Sequence, residues 1–115
     1  MMNKKYEVKK IKAGDIWKAE CIMDTKIFLV VAVNGNVINC LNLKKQKTTP
    51  YDIEMSTEGG VSCAANPAMI SYKMEKDFLE RVDGVPEEVL EQIRDVIFEK
   101  LCLGDEKNAW YEGWE

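Results

Sequence analysis

The sequence contains no histidine. The side chain that most often serves as acid or base near neutral pH, and most often ligates a metal, is therefore missing, and His-based triads are excluded. Of the seven glycines none sits in a phosphate-cradling loop, because Gly59-Gly60 lacks the downstream lysine and helix start that such a loop needs. Four cysteines, Cys21, Cys40, Cys63 and Cys102, stand far apart with no Cys-x-x-Cys pair. That spacing argues against zinc, and with no histidine to activate a thiol the four are expected to be small hydrophobes packed in a core. The longest apolar run, Ile27 to Val33, is too short to cross a bilayer, and Met1 to Lys12 carries five lysines without a signal-peptide core. The expectation is a cytoplasmic protein with no membrane contact, no metal and no cofactor.

What is present is charge, and it is unevenly placed. The net charge is −4, yet residues 1 to 50 sum to +6 and residues 51 to 115 to −10. Such a dipole can offer a basic face to nucleic acid or an acidic face to a basic cleft, although sequence halves need not become spatial halves. With 115 residues there is room for one core and no need for a covalent staple.

Hydropathy patterning is clearest between Gly14 and Leu43. Trp17, Ala19, Cys21 and Met23 share one face of a first strand and Ile16, Lys18, Glu20 and Ile22 the other, and Trp17 is expected in the core. Ile27 to Val33 is apolar at every position, so both faces of this second strand should be covered. Asn34-Gly35 predicts a type I′ hairpin into a third strand, Val37 to Leu43. Lys44 to Pro50 is a polar, basic loop; Tyr51 to Met55 and Ala68 to Met74 predict further strands, with a short helical turn after Glu75. Residues 1 to 12 predict a basic arm or edge strand, residues 13 to 104 a single domain, and 105 to 115 an acidic, aromatic tail.

Near the C-terminus Asp83-Gly84 predicts a turn and Pro86-Glu87-Glu88 then opens a helix, with proline tolerated in the first turn and carboxylates at the positive end of the helix dipole. Val89, Leu90, Ile93, Val96, Ile97 and Leu101 form its apolar stripe, and Gly104 is its natural stop. Phe98 and Cys102 fall on the other side with Glu91, Arg94 and Asp95, where the tail could cover them. Trp110, Tyr111 and Trp114 in that tail are either such a cover or anchors for a partner, since Trp and Tyr dominate binding hot spots.

Gly14-Asp15-Ile16-Trp17 opening a strand, the apolar Phe28-Leu29-Val30-Val31, a basic loop after strand three, Gly84-Val85-Pro86 before Val89-Leu90, and a helix ending Leu101-Cys102-Leu103-Gly104 resemble the PemK/MazF family of toxin ribonucleases. The resemblance implies an α+β fold: a small SH3-like β-barrel of about five or six mostly antiparallel strands with a C-terminal amphipathic helix. It also implies a homodimer, metal-independent cutting of single-stranded RNA, and an acidic antitoxin as protein partner in a toxin–antitoxin pair, often from a mobile element. The family's arginine-proline at the start of strand two corresponds to Lys26-Ile27, and its threonine-serine after strand three to Asn42-Leu43. Lys26 and Asn42 are thus the catalytic candidates. Lysine lacks the planar fork that grips a phosphate through two hydrogen bonds, so weak or lost endoribonuclease activity is expected. Lys44, Lys45, Lys47 and Thr48 are candidate RNA or partner contacts, with Trp110 and Trp114 in the tail. The alternative is a small acidic inhibitor that blocks a basic nucleic-acid cleft with residues 51 to 115.

Overall fold

The computed structural model describes residues 10–101, with side chains to residue 99. Seven strands and one helix follow in the order β1 (Asp15–Glu20), β2 (Thr25–Asn34), β3 (Val37–Asn42), β4 (Ile53–Ser56), β5 (Ser62–Ala65), β6 (Ile70–Met74), β7 (Phe78–Gly84) and α1 (Glu87–Leu101). Five of them form one antiparallel sheet, β6-β3-β2-β1-β7, while β4 and β5 form a separate hairpin. The α+β expectation holds, with more strands than expected and a sheet that, among the described residues, no ladder closes into a barrel.

That sheet is nevertheless strongly rolled. Its two edge strands, β6 and β7, are joined by a single 3₁₀ turn, Glu75–Asp77. Four flat strand spacings of about 4.8 Å would hold those edges about 19 Å apart. A 3₁₀ turn rising about 2 Å per residue bridges less than half of that. The edges must therefore curl toward each other at that end.

Rolling explains how β2 is covered on both faces. Leu29 and Val31 pack with Ile16, Leu41, Leu90, Ile93 and Ile97 under the helix, whereas Phe28 and Val30 pack inside the roll with Trp17, Ile38, Cys40 and Phe78. Trp17 meets Phe78 edge-on at 6.2 Å between ring centroids. The expected double burial of β2 is present, but the helix covers only one side.

The Gly14-Asp15-Ile16-Trp17 segment has a local reason for each residue. Gly14 adopts φ +95, a conformation that side-chain-bearing residues resist. The buried carboxylate of Asp15 accepts hydrogen bonds from the Lys12 amide (2.9 Å), the Trp17 indole (3.4 Å) and the Arg81 guanidinium (3.0 Å). Three donors on one buried acid tie the entry of β1 to β7.

Several expectations are corrected. The β2–β3 ladder closes on Asn34 and Val37, so the two-residue loop is Gly35-Asn36, one place beyond Asn34-Gly35. Asp83-Gly84 ends β7 rather than forming a turn before the helix. Arg94 and Phe98 are buried rather than outward, at 8% and 2% exposure. The buried helix face runs through 90, 93, 94, 97 and 98, the ordinary 3.6-residue stripe centred slightly later than the apolar residues suggest. The expectations for residues 1 to 9, for the side chain of Leu101, and for Cys102, Gly104 and the tail lie outside the described residues.

Candidate functional site

Strand alternation sends neighbouring residues to opposite faces, and this divides the candidates between two clefts. Lys26 and Phe28 of β2 face one way; Ile27 and Leu29 face the other. Antiparallel pairing sets Asn42 of β3 opposite Phe28, and Ser71 of β6 opposite Cys40. The first cleft, open and about 690 Å³, accordingly contains Lys26, Phe28, Asn42, Ser71 and Lys73, with Tyr72 at its β6 edge, on the opposite face of that strand from Lys73, and Cys21 to Asp24 of the β1–β2 turn along its rim. Lys73 holds its ammonium 5.3 Å from the centre of the Phe28 ring, a cation–π contact at the mouth of the rolled sheet. Lys26 and Asn42, chosen from the sequence, share this cleft. Lys73 was not singled out, because nothing local distinguishes it from an ordinary edge-strand residue; only the β3–β6 register brings it here.

The second cleft, about 340 Å³, lies on the other face between β1, β2, β7 and the β4–β5 hairpin. Its walls are Ile16, Ile27, Leu43, Val61 and Val82, with Cys63 beside them and Lys44, Lys45 and Asp83 at its border. It is mostly apolar. A hydrogen bond from Thr57, joined by those from the Gly84 and Gly59 amides (2.8 and 3.1 Å), holds the Asp83 carboxyl below the ordinary range. Burial raises the Cys63 thiol, which keeps it protonated.

The basic loop divides as well. Lys44 Nζ donates to Asp52 Oδ2 and to Thr48 Oγ1, each at 2.7 Å, and the same Asp52 oxygen accepts from the amides of Thr48 (2.8 Å) and Thr49 (3.0 Å). Lys44 leads these donors in holding the Asp52 carboxyl far below its usual range. Lys44 also bridges Ala64 through two backbone hydrogen bonds, 2.8 and 2.9 Å, which fasten the β4–β5 hairpin to the main sheet. Lys44 and Thr48 are therefore engaged inside the loop, while Lys45 and Lys47 are exposed. Trp110 and Trp114 lie outside the described residues.

The first cleft offers two ammonium groups, an amide, a hydroxyl and the Asp24 carboxylate, but no imidazole. That set can bind and polarise a phosphodiester. Among the described residues no three metal-ligating side chains gather, and no helix is long and apolar enough to cross a membrane.

No family model and no curated protein matches the sequence. Solved structures do match the fold. An endoribonuclease in complex with its cognate antitoxin, from a mycobacterial species, aligns with TM-score 0.69 and 15% identity over 82% of this chain and 97% of that one. The MazE–MazF complex of Deinococcus radiodurans gives 0.67 and 15% over 82% and 97%. A further mycobacterial endoribonuclease gives 0.66 and 14% over 81% and 92%. The chain has the MazF-like toxin fold.

Proposed function

We propose that this chain, carrying the MazF-like fold, is a toxin–antitoxin-type protein that binds single-stranded RNA in the cleft of Lys26, Asn42 and Lys73, with endoribonuclease activity weak or lost. What supports this reading is the convergence itself: a lysine on β2, an amide on β3 and a second lysine on β6 reach one open groove from three adjacent strands. Lysines bind phosphates as point charges, so the groove suits a chain of phosphodiesters without demanding one sequence. Weak cleavage fits the same chemistry. A single ammonium at position 26 attracts a phosphate but does not fix the orientation of the developing charge, and the cleft has no histidine to move a proton.

Two partners belong to this reading. The matched structures include a toxin held by its cognate antitoxin and a MazE–MazF pair, which points to an antitoxin-type polypeptide as the protein partner here. A homodimer is the expected assembly, and light scattering or cross-linking of purified protein reads it directly.

The function test is incubation with single-stranded oligoribonucleotides in the presence of a chelator. Binding that weakens steeply with salt, accompanied by little or no cleavage, is the expected result. Any cleavage should vanish in Lys26→Ala; cleavage that survives would remove Lys26 from its assigned role. Absence of binding even at low salt would remove the function itself.

A further inference from the structure

The second cleft is held open by the way the β4–β5 hairpin is fastened to the sheet. At one end Lys44 and Ala64 exchange backbone hydrogen bonds of 2.8 and 2.9 Å. At the other the Glu58 amide donates to the Gly84 carbonyl (2.8 Å) and the Gly59 amide to the Asp83 carboxylate (3.1 Å). Between these two clamps Val61, Ser62 and Cys63 stand across from Ile16, Ile27 and Val82 without closing on them, and about 340 Å³ is left. Collapse of the gap would break one clamp or the other, so the space is built into the fold.

Its lining is unfinished core. Ile16 and Cys63 belong to the cluster under the helix, and Ile27 and Leu43 pack against the same cluster while only partly buried. Val61 and Val82 are 57% and 44% exposed. Cys63, whose thiol burial keeps protonated, counts with the apolar walls. Such a surface gains by being covered, and water finds few partners on it. The two ends differ in charge. At one, the Asp83 carboxylate is already bonded to Thr57, Gly84 and Gly59. At the other, Lys44 is held by Asp52, but the exposed Lys45 takes part in no ion pair among the described residues.

We infer that this cleft binds a small organic acid of the medium-chain carboxylate class, its hydrocarbon lying between hairpin and sheet and its carboxylate meeting Lys45. The size agrees, because at about 30 Å³ per water-sized group the space takes about eleven non-hydrogen atoms. The length agrees as well, because the three strand steps from Val61 to Ala64, of about 3.3 Å each, span about 10 Å. The site uses Ile27, on the face of β2 opposite Lys26, and so stands or falls apart from the RNA reading.

The test probe is octanoate below its micellar concentration, followed through the methyl resonances of the isotopically labelled full chain. Saturable shifts of the Ile16, Ile27, Leu43, Val61 and Val82 methyls are expected, with Val30 and Ile38 inside the roll unmoved. Lys45→Ala should weaken octanoate about 2- to 10-fold and leave the binding of octanol unchanged. Val61→Asp and Val82→Asp, both at exposed positions, should abolish the binding of either compound. Octylamine binding as tightly as octanoate would overturn the choice of an acid. Shifts of the same methyls that follow protein concentration without octanoate would place a second copy of the chain in the cleft and overturn the small-ligand site. Absence of any saturable shift would overturn it outright. Each of these outcomes leaves RNA binding in the first cleft standing.

Discussion

The guanidinium of Arg94 donates from Nε (3.2 Å) and Nη2 (2.7 Å) to the carbonyl oxygen of Val31. Val31 is the residue that the β2–β3 ladder skips between Val30 and Ala32. A bulge in a buried strand removes a carbonyl from the ladder where no water reaches it. The helix supplies the missing donor, and in doing so fixes α1 on β2. That oxygen gives an arginine near the centre of an otherwise apolar helix face a buried partner.

Replacing Arg94 with methionine preserves much of the packing and removes the donor. A buried unpaired carbonyl costs about 1–3 kcal/mol, so urea unfolding of Arg94→Met should show stability lowered by about that much with an unchanged m value. A change below about 0.5 kcal/mol, within the ordinary scatter of surface substitutions, would mean that the Val31 oxygen finds another donor.

Much of this fold is legible locally, and the parts that are not share a reason. The all-apolar β2, the hairpin beyond it and the helix are each marked by their own residues. Strand β7 is not, because Leu79, Glu80, Arg81 and Val82 are all exposed and only Phe78 and Gly84 at its ends are buried. Strand β5, Ser62–Ala65, is made of small residues with little hydropathy contrast. The buried place of Arg94 depends on a bulge in a strand more than sixty positions away. Part of the cleft was legible for a different reason: Lys26 and Asn42 came from the family resemblance, whereas Lys73 enters only through the pairing of β6 with β3. Lys44 reads as a free cation until the fold brings the Asp52 carboxylate to it.

The Asp52 network sets an acid limit. Its carboxyl has an ordinary value of 3.8 and is held far lower in the folded protein, first by the Lys44 hydrogen bond and then by the Thr48 amide. A folded-state value below the unfolded one means that the contribution is fully present above the unfolded value and lost as pH falls through the folded one. The stability difference between wild type and Asp52→Ala should therefore be constant above about pH 5, and should shrink progressively as the pH drops below 4. A difference that persists undiminished to the acid limit of folding would show that the carboxyl acts through shape rather than charge.

Charge counting separates the lysines. Lys26 and Lys73 line the groove, and each phosphate contact to a single strand contributes about 0.7 to the slope of log affinity against log salt. Lys26→Ala and Lys73→Ala should each reduce the slope by about that amount, with unfolding transitions near wild type. Lys44→Ala should behave in the opposite way, lowering stability with little effect on the slope, because its charge is already matched by Asp52 at 2.7 Å. If Lys44→Ala flattens the salt dependence as strongly as Lys26→Ala, the loop contacts RNA directly and the division of the lysines drawn here is wrong.

Cysteine reactivity supplies an independent footprint of the groove. Burial pushes the Cys40 thiol up to about 12, and Cys63 is also raised by burial, so both should resist alkylation in the native protein. Cys21 is half-buried and lines the same cleft as Lys26 and Lys73. Brief treatment with a maleimide, followed by peptide mass mapping, should find Cys21 modified well before Cys40 or Cys63. Prior addition of single-stranded RNA at low salt should slow modification of Cys21, because the occupied groove covers its sulfur. Raising the salt should restore the rate as RNA leaves. Modification of Cys21 that proceeds at one rate with and without bound RNA would place the nucleic acid on another surface, and would count against the groove even if binding itself were strong.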